Sequence, residues 1–352
     1  MNDPAHYRNG IRWEFGIGVT LLALIVLPSI NLGANAYIEN RSPIANCSTE
    51  TVDSSDHDKT VLQLQRIYQS EKFELLESSL SCLLRPTFKF DSGRPGSSAI
   101  YDFFKRTMPG PGTDAAEIDR VRKWEKQNRK SIFARFGKAR FEYSMAWNSR
   151  GRSFAQNVSE ESWKAFHAGL LRAEQDLLEA PDELRNTPIW QHLLLAVSQD
   201  AMGAKSKPRV VFEEGIKRWP GYYGFYENML RRLVPKWGGS WKIVDESIST
   251  WSSQRAATEG RSLYARLYAS VLMEGAKLGQ TLIQWPTTKA SLNDLTHRYP
   301  DNYNWNLAAS YACLFHEAKS FKEYVSKFYP QRVMRSAWFK GSALEGCMQR
   351  LQ

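Results

Sequence analysis

Three glutamates offer the simplest chemistry in this chain. Glu213 and Glu214 are adjacent, and Glu227 follows inside an aromatic-rich stretch. A carboxylate pair beside rings that stack sugars is the equipment of a glycoside hydrolase, one group as acid and the other as base or nucleophile. Adjacent glutamates on an exposed helix face are ordinarily just solvated. No HExxH zinc pair, GxSxG elbow, glycine-rich phosphate loop or CxxC pair accompanies them. No catalytic residue, metal or cofactor is therefore expected, and binding is favoured over an enzyme of cell-wall polymer or a glycan-binding protein.

Asp53, Asp56, His57 and Asp58 have the oxygen and imidazole chemistry of metal ligands. They lie in a stretch from Tyr37 to Lys59 without apolar periodicity, which reads as a solvated linker that would have to be ordered to hold an ion. A third group is basic. Arg120, Arg122, Lys123, Lys126, Arg129, Lys130, Arg135, Lys138 and Arg140 interleave with Trp124, Phe133, Phe136, Phe141 and Tyr143. Cations with rings suit nucleic acid. However, Ile132, Phe136, Ala139, Tyr143 and Ala146 share one helical face, so the rings are assigned to core and the cations to solvent. Nucleic acid is not the expected partner, and the net charge of +10 fits solvated faces or another anionic partner.

The elements that position these groups are helices. Periodic apolar residues recur at helical spacing, and no alternating Val/Ile/Thr runs bounded by hairpin turns are found, so the class is all-α. The stretch from Arg209 to Trp251 organises the rest. Val210, Phe212 (or Val211) and Ile216 stop at Trp219-Pro220; Tyr222, Phe225, Tyr226, Met229, Leu230 and Leu233 stop at Pro235. Gly238-Gly239 then permits a reversal, and Ser240 caps a helix bearing Trp241, Val244, Ile248 and Trp251. At this corner Trp237 is expected to pin two helices as core; the free amides of a helix start would alternatively suit an anion. Arg218-Trp219-Pro220-x-x-Tyr223-x-Phe225 returns as Arg298-Tyr299-Pro300-x-x-Tyr303-x-Trp305, an internal repeat of the kind that builds stacked helical hairpins.

Ahead of the helices, residues 1–12 are polar and residues 13–36 form an apolar segment with no charge after Glu14. Basic residues before it and acidic ones after it predict a membrane anchor with its N-terminus in the cytoplasm and the remainder in the periplasm. Ala34-Asn35-Ala36 offers the alternative of a signal peptide cleaved after Ala36. Residues 37–58 read as a flexible linker, 59–202 as an N-terminal helical half and 203–352 as a C-terminal repeat half. Four cysteines fit an oxidising compartment. Proximity pairs Cys47 with Cys82 and Cys313 with Cys347; alternatively Cys82 and Cys313 are buried thiols.

Four phrases, WEKQNRKSIFARFGKARFEYSMAWNSRG, NVSEESWKAF, YYGFYENMLRRLVPKWGGS and HRYPDNYNWNLAASYACL, carry a resemblance. The chain from about Thr60 to Phe328 resembles a bacterial family of uncharacterised tetratricopeptide-like helical proteins, a domain of unknown function with a Pro-x-Trp-Gly-Gly-Ser phrase. Pro235, Trp237, Gly238, Gly239 and Ser240 carry that phrase here, and Trp147, Arg150 and Gly151 belong to the first of the four. The resemblance implies a tetratricopeptide-like α-solenoid and no activity. The resulting expectation is an envelope-tethered or exported helical-repeat scaffold that binds a protein or peptide.

Overall fold

The structure, a computed structural model, describes residues 52–108, 115–340 and 343–351. The segments 1–12 and 13–36, most of the linker, and Cys47 lie outside the described residues. Seventeen α-helices and no strand occur among the described residues, so the all-α expectation holds; the one β-like contact is an isolated bridge between Lys89 and Pro95. No described helix is long and apolar enough to cross a membrane.

The first five helices are α1 (His57–Gln69), α2 (Phe73–Leu83), α3 (Gly96–Thr107), α4 (Ala115–Gln127) and α5 (Ile132–Arg150). Helix α1 starts inside the expected linker because Asp56 caps it, accepting from the Lys59 amide, and Asp58 sits in its positive first turn. The last linker residues are thus packed and capped, with Val52 buried. Trp124 on α4 organises this end of the molecule. Phe73 and Phe104 stack near-parallel to it with centroids 6.0 and 5.8 Å away, and Tyr68 meets it edge-on. Its indole N–H donates to Glu77 at 2.8 Å, and the same oxygen accepts from the Ser131 hydroxyl at 2.6 Å. Burial pushes the Glu77 carboxyl up. Not every cation of the basic stretch is solvated: Arg140 is buried on α5, donating to Ser144 beneath the Tyr143 ring.

Then come α6 (Glu160–Leu178), α7 (Asp182–Arg185), α8 (Pro188–Asp200), α9 (Pro208–Arg218), α10 (Gly224–Leu233) and α11 (Trp241–Gln254). The chain continues with α12 (Ala256–Glu259), α13 (Ser262–Met273), α14 (Trp285–Arg298), α15 (Asn302–Leu314), α16 (Ala318–Val325) and α17 (Leu344–Leu351). The repeated phrase is matched by repeated structure. Four-residue α7 leads through α8 and α9 to α10, and four-residue α12 leads through α13 and α14 to α15. The aromatic that ends α9, Trp219, has φ −130° and ψ 67°; its counterpart Tyr299, after α14, has φ −136° and ψ 75°. Each preceding arginine reaches back to the short helix of its own unit, Arg218 to Asn186 and Arg298 to the Thr258 carbonyl. On α9 the buried stripe uses Val211 and Phe212, while Val210 is exposed, which settles the alternative left open by spacing.

The segment between α2 and α3 crosses to the far end of the chain. The Ser92 carbonyl accepts from Arg266 of α13 and, at 3.2 Å, from Asn304 of α15. Beside it Gly93 has φ +83°, and a Cβ there would come within 2.7 Å of the Tyr299 ring, so both conformation and space require glycine. One hydrophobic cluster runs from Val52 to Leu351, through both expected halves. Cys313 and Cys347 form the expected disulfide, with Cα atoms 5.7 Å apart, fastening α17 to α15. Cys82 is also disulfide-bonded.

Trp124→Ala is expected to cost about 3–5 kcal/mol in urea unfolding, because it removes a large buried ring and one of the two donors to Glu77. A loss below about 1 kcal/mol would show that the ring cluster does not hold this end together.

Candidate functional site

The Pro235–Ser240 phrase is a corner built residue by residue. Val234 is extended, Pro235–Trp237 make one 3-10 turn, and Gly238 takes φ +88°. A Cβ on Gly239 would lie 1.9 Å from the Leu233 carbonyl oxygen, so only glycine lets the chain double back this closely. Ser240 caps α11 by accepting from the Ile243 amide at 3.2 Å, which occupies one of the amides an anion would need. Trp237 does not enter the core as expected. It is 37% exposed, with the Arg232 guanidinium 4.7 Å from its ring centre and Lys236 at 5.5 Å. The corner reverses within three residues, leaving its ring at the surface.

The second predicted phrase meets the first. Gly151 terminates α5, and Arg150 donates to the carbonyls of Gly151 and Ser153 while lying over Trp147 and Trp163. Trp147 presents its edge to Trp237, with centroids 6.5 Å apart. Joining them is Asp200, the buried last residue of α8. Its carboxylate accepts from Tyr143 at 2.7 Å and Trp147 at 3.0 Å and pairs with Arg232. Sequence reasoning passed over Asp200. The available signal was the one carboxylate in the run from Ile189 to Met202, at a helix end where the dipole opposes it.

In front of this corner lies a cavity of about 710 Å3. Its walls come from α3 (Asp102, Lys105, Arg106), α10 (Glu227, Arg231), α13 (Arg266) and α15 (Tyr303), with Lys236 and Trp237 among the exposed residues of its mouth. Arg94 reaches in from the crossing segment, its guanidinium 5.2 Å from the Tyr303 ring centre. Arg266 is held between the Tyr223 and Tyr299 rings at 4.8 and 5.4 Å. A side pocket of about 200 Å3 shares Arg94, Asp102 and Arg106 and extends to His57, Asp58 and Ser336.

The three glutamates are not brought together. Glu213 pairs with Arg209 at 2.8 Å, and both Glu213 and Glu214 are exposed on α9, whereas Glu227 lines the cavity. The acidic cluster is likewise spent structurally: Asp53 holds Ser55 and Lys59, Asp56 caps α1, and Asp58 pairs with Arg106 at 2.8 Å. No group of His, Cys, Asp and Glu with metal-holding geometry occurs among the described residues. Behind the cavity His192 is buried, stacked on Tyr101 at 3.7 Å and hydrogen-bonded to the Tyr222 hydroxyl at 2.9 Å. Burial, aided by Arg231, Lys105 and Arg140, pushes its pKa well down, so its ring is neutral at pH 7. No known protein family, curated protein or solved structure matches this chain.

Trp237→Ala is expected to cost only about 1–2 kcal/mol, since much of the ring is already in water. Asp200→Ala should cost about 3–5 kcal/mol, because it removes the buried carboxylate that Tyr143, Trp147 and Arg232 share; equal losses for the two variants would refute this ranking. Because the folded pKa of His192 is depressed, the unfolded chain takes up its proton first as pH falls. Stability should therefore be intact above about pH 6.5 and decline towards about pH 5. His192→Gln should flatten that decline, as measured by urea midpoints; an unchanged slope would place it elsewhere.

Proposed function

We propose that this chain is a helical-repeat scaffold that takes a protein or peptide segment into the cavity bounded by α3, α10, α13 and α15. The observation carrying this reading is the cavity itself: about 710 Å3, open at Trp237, with walls from helices far apart in sequence. Stacked helical hairpins present surfaces of this kind to extended partners. The recurring unit of a four-residue helix, two packed helices and a further helix supports a tetratricopeptide-like α-solenoid as the architecture. The likeness to the family with the Pro-x-Trp-Gly-Gly-Ser phrase belongs to the same reading.

The location proposed is the bacterial envelope, with residues 13–36 as the membrane anchor and the helical part in the periplasm, or released there by cleavage after Ala36. The Cys313–Cys347 disulfide and the bonded state of Cys82 support an oxidising compartment.

A photo-crosslinking residue placed at Lys236 on the cavity mouth should capture one discrete protein in intact cells. The same residue placed at Glu213, on exposed α9, should not. Equal capture from both positions, or capture of glycan alone at Lys236, would overturn the proposal.

A further inference from the structure

Resting on the peptide-binding reading, we infer that the segment accepted by the cavity is acidic, its carboxylates received by Arg94, Lys105 and Arg231. The cavity is lined by six cationic side chains and three carboxylates. Two of the cations are already engaged: Arg106 with Asp58, and Arg266 with the Ser92 carbonyl and two rings. Arg94, Lys105 and Arg231 have no ion pair or side-chain hydrogen bond among the described residues. They come from three different elements, the crossing segment, α3 and α10, so their convergence is a product of the fold rather than a charge run on one solvated face.

Glu227, Asp102 and Asp58 balance the charge at Arg94, but the balance fails at Lys105, where Asp102 and Glu227 are outweighed. The Lys105 side chain is reached by water yet largely surrounded by protein, as on a cavity wall. Burial first, and then the repulsion of Arg231, push its ammonium pKa down. Bound carboxylates would reverse that repulsion and form charge-assisted hydrogen bonds. Glu227, Glu274 and Asp102 in the same wall disfavour a compact polyanion, which would meet them at close range. A chain with separated carboxylates avoids them and leaves them as acceptors for its amides. Tyr303 and Trp237 supply apolar faces for the methylenes that carry those carboxylates.

The test uses the full chain in detergent and a fluorescein-labelled hexaglutamate peptide, followed by anisotropy. Hexaglutamate should bind, and binding should weaken as salt is raised. Lys105→Ala and Arg231→Ala should each weaken it about tenfold, the loss of one charge-assisted contact. Both residues are water-exposed, so the variants should keep the parent's melting temperature, which is measured alongside. Equal binding of hexaglutamine would overturn the acidic preference and leave the peptide reading standing. Hexaglutamate binding unaffected by either substitution would place the site outside the cavity. Tighter binding of oligogalacturonate with the same residue dependence would make the ligand a glycan. Binding of no peptide of any charge would remove the peptide reading as well.

Discussion

The guanidinium of Arg266 is the point on which distant parts of this molecule converge. It is buried on α13, donates to the Ser92 carbonyl, and lies between Tyr223 and Tyr299. Tyr223 comes from the first repeated phrase and Tyr299 from the second, so one cation fixes the spacing of both units against the crossing segment. A buried arginine cannot shed its charge. The surrounding rings and carbonyl must therefore stay in place, and with them the stretch of cavity wall that Tyr223 and Arg266 line. Glu259 adds a second tie, accepting from the Tyr223 hydroxyl at 3.0 Å.

Around that point the fold trades apolar packing for polar anchors at its joints. Asp200 gathers α5, α8 and α10; Glu77 gathers α2, α4 and the cap of α5; Asp245 accepts from Tyr268 at 2.5 Å and from the Leu282 amide at 2.9 Å. Each is a desolvated carboxylate with several donors, which is what makes its burial tolerable. Such anchors constrain direction as well as distance, which rings and aliphatic side chains do less strictly.

Local features were legible in the sequence. The stripe of α10, the cap at Ser240, the stops at Pro220 and Pro235, and the glycine corner at 238–239 depend on near neighbours, and spacing reveals them. The Cys313–Cys347 bridge, also between near neighbours in sequence, was found by proximity alone. The cavity was not legible. Ser92 meets Arg266 across 174 positions and Asn304 across 212, and nothing local to residues 84–95 marks that meeting. Trp237 misled for a related reason: an aromatic beside two glycines suggests a buried pin, but the surface it meets is made with Trp147, which arrives from α5. Asp56 shows the opposite error, a polar residue read as linker although its spacing to Lys59 is that of a cap.

The contact of Ser92 with α13 and α15 also bears on how such a chain could change over generations. An array whose units touch only their neighbours can gain or lose copies at little structural cost. Here a unit duplicated between α5 and α13 would carry Arg266 and Asn304 away from Ser92, and Tyr299 away from Gly93. The carbonyl would lose both donors, and the glycine its reason to be one. The number of units is therefore tied to the reach of the segment before α3. Lengthening this protein by tandem duplication would demand a matching change in that segment.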